Sequence, residues 1–294
     1  MIAVTGATGQ LGRLVINQLL LKVPAATVIA VVRDAAKASD LAARGITVRI
    51  APYTDPAALT RAFAGVGQLL LISSNEIGQR AAQHRNVIEA AKQAGVKLLV
   101  YTSLLHADTT SLNLAPEHRE TEAILKSSGV PFVILRNGWY TENYTASIPP
   151  AVANGAFIGS AGTGRISWAA RADYAAAAVV ALTGGAQTGK TYELAGDTAG
   201  TLDELAAEIS CQTGKTIPYQ NLPEATYRDI LLKVGLPPGL AAGLASWDVD
   251  VSRGAVLDES RTLSKLIGRP TTPLAESVKQ ALQGEAGVLV SGKQ

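Results

Sequence analysis

What the chain is short of narrows the field before any motif is considered. It has one cysteine, Cys211, so an intrachain disulfide is impossible and a cysteine-rich metal centre is excluded. Its three histidines are scattered without metal-ligand spacing, and no metal is expected. Charged residues make up 17% of the chain, against about 25% in an average soluble protein. The 26 basic and 24 acidic side chains nearly cancel, leaving +2. No basic patch or like-charge tail marks a nucleic-acid partner. No stretch reaches the roughly 18 uninterrupted apolar residues of a transmembrane helix, so no membrane partner is expected. Met1-Ile2-Ala3-Val4 runs directly into a glycine-rich turn, without the charged start of a secretory signal. A cytoplasmic location is the expectation. Aromatics are few, at three Trp, eight Tyr and three Phe.

What is present is apolar and regularly ordered. The hydrophobic share of 47% over 294 residues is ample for a large core. Alanine runs such as Ala175-Ala176-Ala177-Ala178 predict closely packed helices. Short apolar runs at 2–5, 27–33, 46–50, 68–73, 96–102 and 130–135 read as strands. Helical segments alternate with them at 11–22, 35–44, 56–64, 78–94 and 116–128. Strands separated by helices are βαβ units, which demand a parallel sheet with right-handed crossovers. Beyond about Arg136 the alternation stops and Gly and Pro thicken, as at Pro149-Pro150 and Pro237-Pro238. Further helices are predicted at 171–183, 201–213, 223–234 and 273–282, with residues 191–194 able to return a strand to the sheet. The expected fold is therefore α/β, a doubly wound Rossmann-type parallel sheet with a smaller, mostly helical C-terminal substrate lobe. The expected division is 1–136 for the nucleotide-binding domain and 137–294 for the interleaved lobe.

The first strand-to-helix turn reads Gly6-Ala7-Thr8-Gly9-Gln10-Leu11-Gly12. A pyrophosphate needs backbone N–H groups at a helix N-terminus, and side chains at Gly6 or Gly9 would block the approach. Gly12 lets the helix pack closely on the strand. In this βαβ context the spacing points to a dinucleotide rather than to a bare turn. NAD sites place an acid about 20 residues on to take the ribose 2′-OH. Here Arg33 stands 21 positions after Gly12, and a guanidinium there suits the 2′-phosphate of NADP(H). Lys37 lies one turn further on. Asp34 either accepts a ribose 2′-OH or caps the helix that follows, and capping is preferred.

Several further strings carry a family resemblance: Leu-Ile-Ser73-Ser74, Tyr101-Thr-Ser103-Leu-Leu-His106, Arg136-Asn-Gly-Trp-Tyr-Thr-Glu-Asn-Tyr144 and Ala169-Ala-Arg171-Ala-Asp173-Tyr. With the glycine turn, they resemble the NmrA-like branch of the atypical short-chain dehydrogenases/reductases over nearly the whole chain. The resemblance implies NADPH bound along the carboxyl ends of the strands and hydride transfer to a small-molecule quinone. It implies cofactor contacts from Gly6, Ala7, Thr8, Gly9, Gln10, Leu11, Gly12 and Arg33. Ser73, Ser74, Asn75, Asn137, Gly138, Trp139, Tyr140, Thr141, Glu142 and Arg171 complete that set. A homodimer is compatible with this class. No flavin is expected, since the turn accommodates one dinucleotide.

The Tyr-x-x-x-Lys pair of most short-chain dehydrogenases is absent. Tyr101 is followed four positions later by Leu105, and Tyr192 by Gly196. That disfavours alcohol oxidation and epimerisation, which need a strong base on the substrate oxygen. A quinone asks less, because hydride arrival yields an aromatic hydroquinone anion and the protein mainly supplies proximity. Ser103, Asn137 or a water is expected to steady the developing oxyanion. His118, four positions before Glu122 on one helix face, is either a general acid or a solvated residue. His84 is expected on a solvated face. Trp139, Tyr140 and Tyr144 suit either stacking on a flat ring or core packing, with Trp168 and Trp247 as further walls. Two other functions stay open: reduction of azo or triphenylmethane dyes, and an NADP(H)-binding redox sensor without turnover.

Overall fold

The structure, a computed structural model, describes residues 1–284. Its centre is a seven-stranded parallel sheet. β1 (Ile2–Thr5), β2 (Val28–Val32), β3 (Thr47–Ile50), β4 (Gln68–Leu71), β5 (Leu98–Leu104) and β6 (Phe132–Asn137) follow in chain order. Between them run α1 (Gln10–Leu19), α2 (Ser39–Ala43), α3 (Pro56–Ala62), α4 (Arg80–Gln93) and α5 (Ala115–Ser127). The rest of the chain adds α6 (Glu142–Thr145), α7 (Ile148–Asn154), β7 (Phe157–Gly159), β8 (Ile166–Trp168), α8 (Arg171–Leu182), β9 (Thr191–Leu194) and β10 (Thr198–Gly200). It continues through α9 (Leu202–Thr213), β11 (Tyr219–Asn221), α10 (Glu224–Lys233), α11 (Pro238–Ser252), α12 (Thr262–Ile267) and α13 (Leu274–Leu282). The sheet order β3-β2-β1-β4-β5-β6-β9 makes the fold doubly wound.

Alternation along the strands sorts side chains to two cores. Val4, Ala30, Val32, Leu70, Val100 and Leu135 face the layer of α1 and α8. Ala3, Ile29, Val31, Leu69, Leu99 and Ile134 face α3, α4 and α5. Burial of an aliphatic side chain contributes about 1.5–3 kcal/mol, so strands covered on both faces read as unbroken apolar runs. The alanines of α8 let it lie close along α1, as expected from the Ala175 run. A third cluster, around Trp139, Tyr144, Phe157, Trp168, Leu205 and Val251, forms the core of the smaller lobe.

Several boundaries differ from expectation for visible reasons. The helix predicted at 35–44 is broken into a 3-10 turn, Ala36–Ala38, and the short α2. Arg13 draws the Lys37 carbonyl to its Nη2 (2.8 Å), and Ala38 leaves helical dihedrals at φ −117°, ψ 11°. α11, a run of 15 residues, was hidden by Pro237-Pro238 and two glycines. Pro238 sits in the first turn, where a missing N–H costs nothing. Gly243 leaves room for an indole, since a Cβ there would stand 3.0 Å from the Trp247 ring. The short strands β7, β8, β10 and β11 exist only as pairs between segments distant in sequence and have no local signature.

Candidate active site

Because the main strands run parallel, their carboxyl ends share one edge, and ligands of open α/β sheets bind where the winding reverses. That reversal lies between β1 and β4. The Thr5 hydroxyl stitches the two there, donating to the Leu70 carbonyl (3.0 Å) and accepting from the Ile72 N–H (3.1 Å). Directly above it the chain enters the glycine turn.

The turn is closed by the Gly9 N–H on the Gly6 carbonyl (2.9 Å), with Gly6 in the left-handed region at φ +58°. A Cβ on Gly12 would stand 2.4 Å from the Gly6 oxygen, and one on Gly9 would stand 3.2 Å from it. Gly9 caps α1 without a side chain, and no acid sits in the first turn. The helix end thus offers its amides and positive dipole to an anion. Arg13, not singled out from the sequence, braces this loop. Its guanidinium donates to the Thr8 carbonyl (3.2 Å), the Lys37 carbonyl (2.8 Å) and the Asp40 carboxylate. Asp40 is held below the usual carboxylate range, first by that hydrogen bond.

Arg33 follows β2 and is 69% exposed, paired with Glu76 at 2.8 Å. Asp34 accepts the Ala36 N–H (2.9 Å) in a local turn. Contrary to expectation it caps no helix, since the N-cap positions of the 3-10 turn and of α2 fall on Ala35 and Ala38. After β4, the Ser73 N–H donates to Thr102 Oγ1 and the Ser74 N–H to His84 Nε2, both at 2.9 Å. A backbone N–H can only donate, so His84 Nε2 carries no proton and Nδ1–H faces Thr121 Oγ1 (3.0 Å). His84 is fully buried, which corrects the expectation of a solvated face. Burial, with Arg80 nearby, pulls it down to about 3.

At the end of β6, Asn137 is buried with its amide group 3.3 Å from the Tyr140 hydroxyl, and its Oδ1 has no partner among the described residues. Thr141 Oγ1 and the Tyr174 hydroxyl are likewise buried and unpartnered. Gly138 packs tightly against the last of these, since a Cβ there would meet Leu194 O and Tyr174 Oη at 2.9 Å. The Arg171 guanidinium lies 4.7 Å over the Tyr140 ring, whose edge meets Tyr174. The Glu142 carboxylate accepts the Arg171 N–H at 2.9 Å, so it caps α8. A cleft of about 320 Å³ brings Gln10, Arg13, Glu142 and Arg171 together. Asp173, in the first turn of α8, is committed within the fold. Fully buried, it accepts from Thr272 N–H (2.8 Å) and pairs with Arg269 (2.7 Å), tying the C-terminal segment to α8. Buried polar atoms normally find partners, and unpartnered ones at a crevice fit a ligand with its own polar groups.

The other two candidate catalytic residues face away from this edge. The Ser103 hydroxyl donates to Glu122 Oε1 (2.7 Å), which Arg136 grips bidentately at 2.7 and 2.8 Å. Arg136 also reaches Glu193 and Asp108, each at 2.8 Å. Burial alone would raise Glu122, but the bonds from Arg136 and Ser103 prevail and hold it low. His118 is buried, with Nδ1 2.7 Å from the Tyr101 hydroxyl. It is not bonded to Glu122, and burial drops it well below its ordinary value. Of the three, Asn137 is the one with a buried polar atom left without a partner among the described residues. Among the aromatics, Trp139 and Trp247 meet edge to face at 5.7 Å, and Trp168 is sealed against Tyr144 in the lobe core.

Fold and glycine turn together define a dinucleotide-binding protein, and the chain belongs to the NAD(P)H-binding family, which matches residues 6–183. It is 61% identical over 278 residues to quinone oxidoreductase 2 of Escherichia coli K12, covering 95% of this chain and 97% of that protein. The crystal structure of the NADPH-dependent quinone oxidoreductase from E. coli complexed with NADPH superposes with a TM-score of 0.93. That match has 60% identity and covers 96% of this chain and all of that one (100%). Triphenylmethane reductase from Citrobacter sp., complexed with NADP(H), superposes at 0.92 with 40% identity, over 96% and 100%.

Proposed function

We propose that this protein is an NADPH-dependent reductase that takes quinones to hydroquinones. The observation that carries the reading is likeness to a quinone reductase along nearly the whole chain, lobe included. NADPH, when bound, supplies the hydride. Gly6, Gly9 and Gly12 leave the α1 amides open to its pyrophosphate, and Arg33 provides a cation for its 2′-phosphate. Ser73–Asn75, Asn137–Glu142 and Arg171 border the rest of the edge. Asn137 offers the acceptor its unpartnered amide oxygen, while Gly138 lets the backbone behind it pack against Leu194 and Tyr174. Trp139, Tyr140 and Trp247 supply faces and edges for offset stacking. His118 is neutral at working pH, and the Ser103 hydroxyl is committed to a hydrogen bond with Glu122. In this reading neither supplies the hydroquinone proton, which comes from solvent.

Among the described residues no helix is long and apolar enough to cross a membrane. The free, exposed Cys211 accords with a reducing, cytoplasmic compartment, which belongs to the same reading. A second reading, reduction of triphenylmethane dyes, is favoured by the Citrobacter enzyme. Loss of NADPH absorbance with a simple benzoquinone or naphthoquinone, run beside a triphenylmethane dye, separates the two. Faster protein-dependent oxidation with quinone is expected. Turnover with dye alone favours the second reading, and tight cofactor binding without any turnover overturns both in favour of a redox sensor.

A further inference from the structure

The arginine on which the NADPH reading rests is already engaged. Arg33 Nη1 donates to Glu76 Oε1 at 2.8 Å, reaching the loop after β4 from the end of β2. With side chains 69% and 44% exposed, the pair adds little to stability. Yet Glu76 does not hang free as a surface carboxylate usually does. Its second oxygen, Oε2, accepts from the side-chain amide of Gln83 at 2.7 Å, and Gln83 is buried. Its N–H donates to Ser74 Oγ (3.2 Å). The loop beneath it is clamped at three points. Ser74 N–H donates to His84, the Ser74 carbonyl accepts from Arg80 Nε (2.7 Å), and Gly78 N–H donates to Glu117 Oε1 (3.0 Å). A buried amide and an anchored loop therefore hold one exposed carboxylate against one exposed guanidinium.

We propose that Glu76 is a specificity-determining residue that sets how strongly the protein prefers NADPH over NADH. The inference rests on Arg33 reading the 2′-phosphate. A 2′-phosphate must share Arg33 with Glu76 or displace it, and it brings like charge against a carboxylate that Gln83 keeps in place. A ribose 2′-OH meets no such opposition, and a carboxylate beside the β2 terminus is the acceptor that NAD sites offer it. Glu76 thus lowers the preference that Arg33 alone would confer and keeps both nucleotides usable. Like charges a few ångströms apart in a largely aqueous setting change affinity by roughly threefold to tenfold, and salt screens the effect.

Calorimetric dissociation constants for NADPH and NADH, taken at low and high salt, test this in the wild type, Glu76→Gln and Arg33→Ala. Glu76→Gln is expected to raise the NADPH-to-NADH affinity ratio by roughly threefold to tenfold, with a smaller gain at high salt. Arg33→Ala is expected to lower it. If Arg33→Ala collapses the ratio while Glu76→Gln leaves it unchanged or lowers it, the inference about Glu76 fails and the reading of Arg33 stands. If Arg33→Ala leaves the ratio untouched, the reading of Arg33 fails and takes the inference with it. Melting of Glu76→Gln without cofactor, expected to match the wild type, shows that the change in ratio is not a folding defect.

Discussion

Gly12 and Glu122 show how differently single positions can matter. Gly12 has no room for a methyl group, with the Gly6 carbonyl 2.4 Å from its ideal Cβ and backbone atoms of Ala7 close behind. Gly12→Ala is expected to push the turn away from α1, weakening NADPH binding at least tenfold by calorimetry. An unchanged affinity would show that the turn does not hold the cofactor. Glu122 and Arg136 form a pair buried on both sides, and removing one partner of such a pair costs about 3–5 kcal/mol. Glu122→Gln should lose a substantial part of that in urea unfolding, moderated by the Glu193 and Asp108 contacts. His118→Gln is expected to leave kcat within about threefold and the pH–rate profile unshifted. A loss beyond tenfold, with the alkaline limb gone, would make His118 the proton donor after all. The glycines and Arg33 were readable as residues in a pattern. His84 was not, since nothing local tells a histidine on a polar helix that Thr121 and Ser74 will close around it.

Helices and strands were legible where their periodicity was internal. The βαβ series and the returning strand at 191–194 come from apolar runs that need no partner to be recognised. α2 and α11 were misread because neighbours decided them: Arg13 took a carbonyl from one, and an indole required a glycine in the other. Packing between elements supports two expectations. Ala178, fully buried in the α1–α8 core, has no space for four carbons, and Ala178→Leu should destabilise by about 1–3 kcal/mol. Thr201 caps α9 through a capping box, accepting from the Glu204 N–H at 3.2 Å. Thr201→Ala should cost about 1 kcal/mol, read as a shift in the urea midpoint with an unchanged slope.

For the molecule as a whole, the buried ionisable groups set how stability responds to acid. Burial, aided by Arg80, holds His84 at about 3, and His118 is likewise depressed. The unfolded chain therefore binds more protons below the ordinary value of 6.5, and stability is lost as pH falls beneath it. Asp248 acts in the opposite sense. Burial pushes it up to about 6 from an ordinary 3.8, although Ser160 N–H and the Tyr144 hydroxyl both donate to it. The folded protein keeps this proton where the unfolded chain releases it, so the benefit is full below 3.8 and gone above about 6. Two histidines outweigh one acid, and the melting temperature is expected to fall from pH 7 to pH 5. Asp248→Asn retains an acceptor and removes the charge. It should stabilise at pH 8 by on the order of 1–3 kcal/mol and steepen the acid loss. Equal destabilisation at both pH values would mean that the carboxylate contributes more through its hydrogen bonds than its burial costs.

Composition and short-range pattern were enough to establish a doubly wound sheet and a dinucleotide turn, because each depends on residues within one turn or one strand of each other. They also singled out Arg33 as the candidate for a 2′-phosphate from its place at the end of β2. The Arg136 network, the burial of Ser103 and His118, the unpartnered atoms at Asn137 and the engagement of Arg33 by Glu76 all join residues from separate elements. Such contacts exist once the chain has folded, since long-range approach follows from packing rather than spacing, and they decided which of the candidate side chains are already engaged by the protein itself.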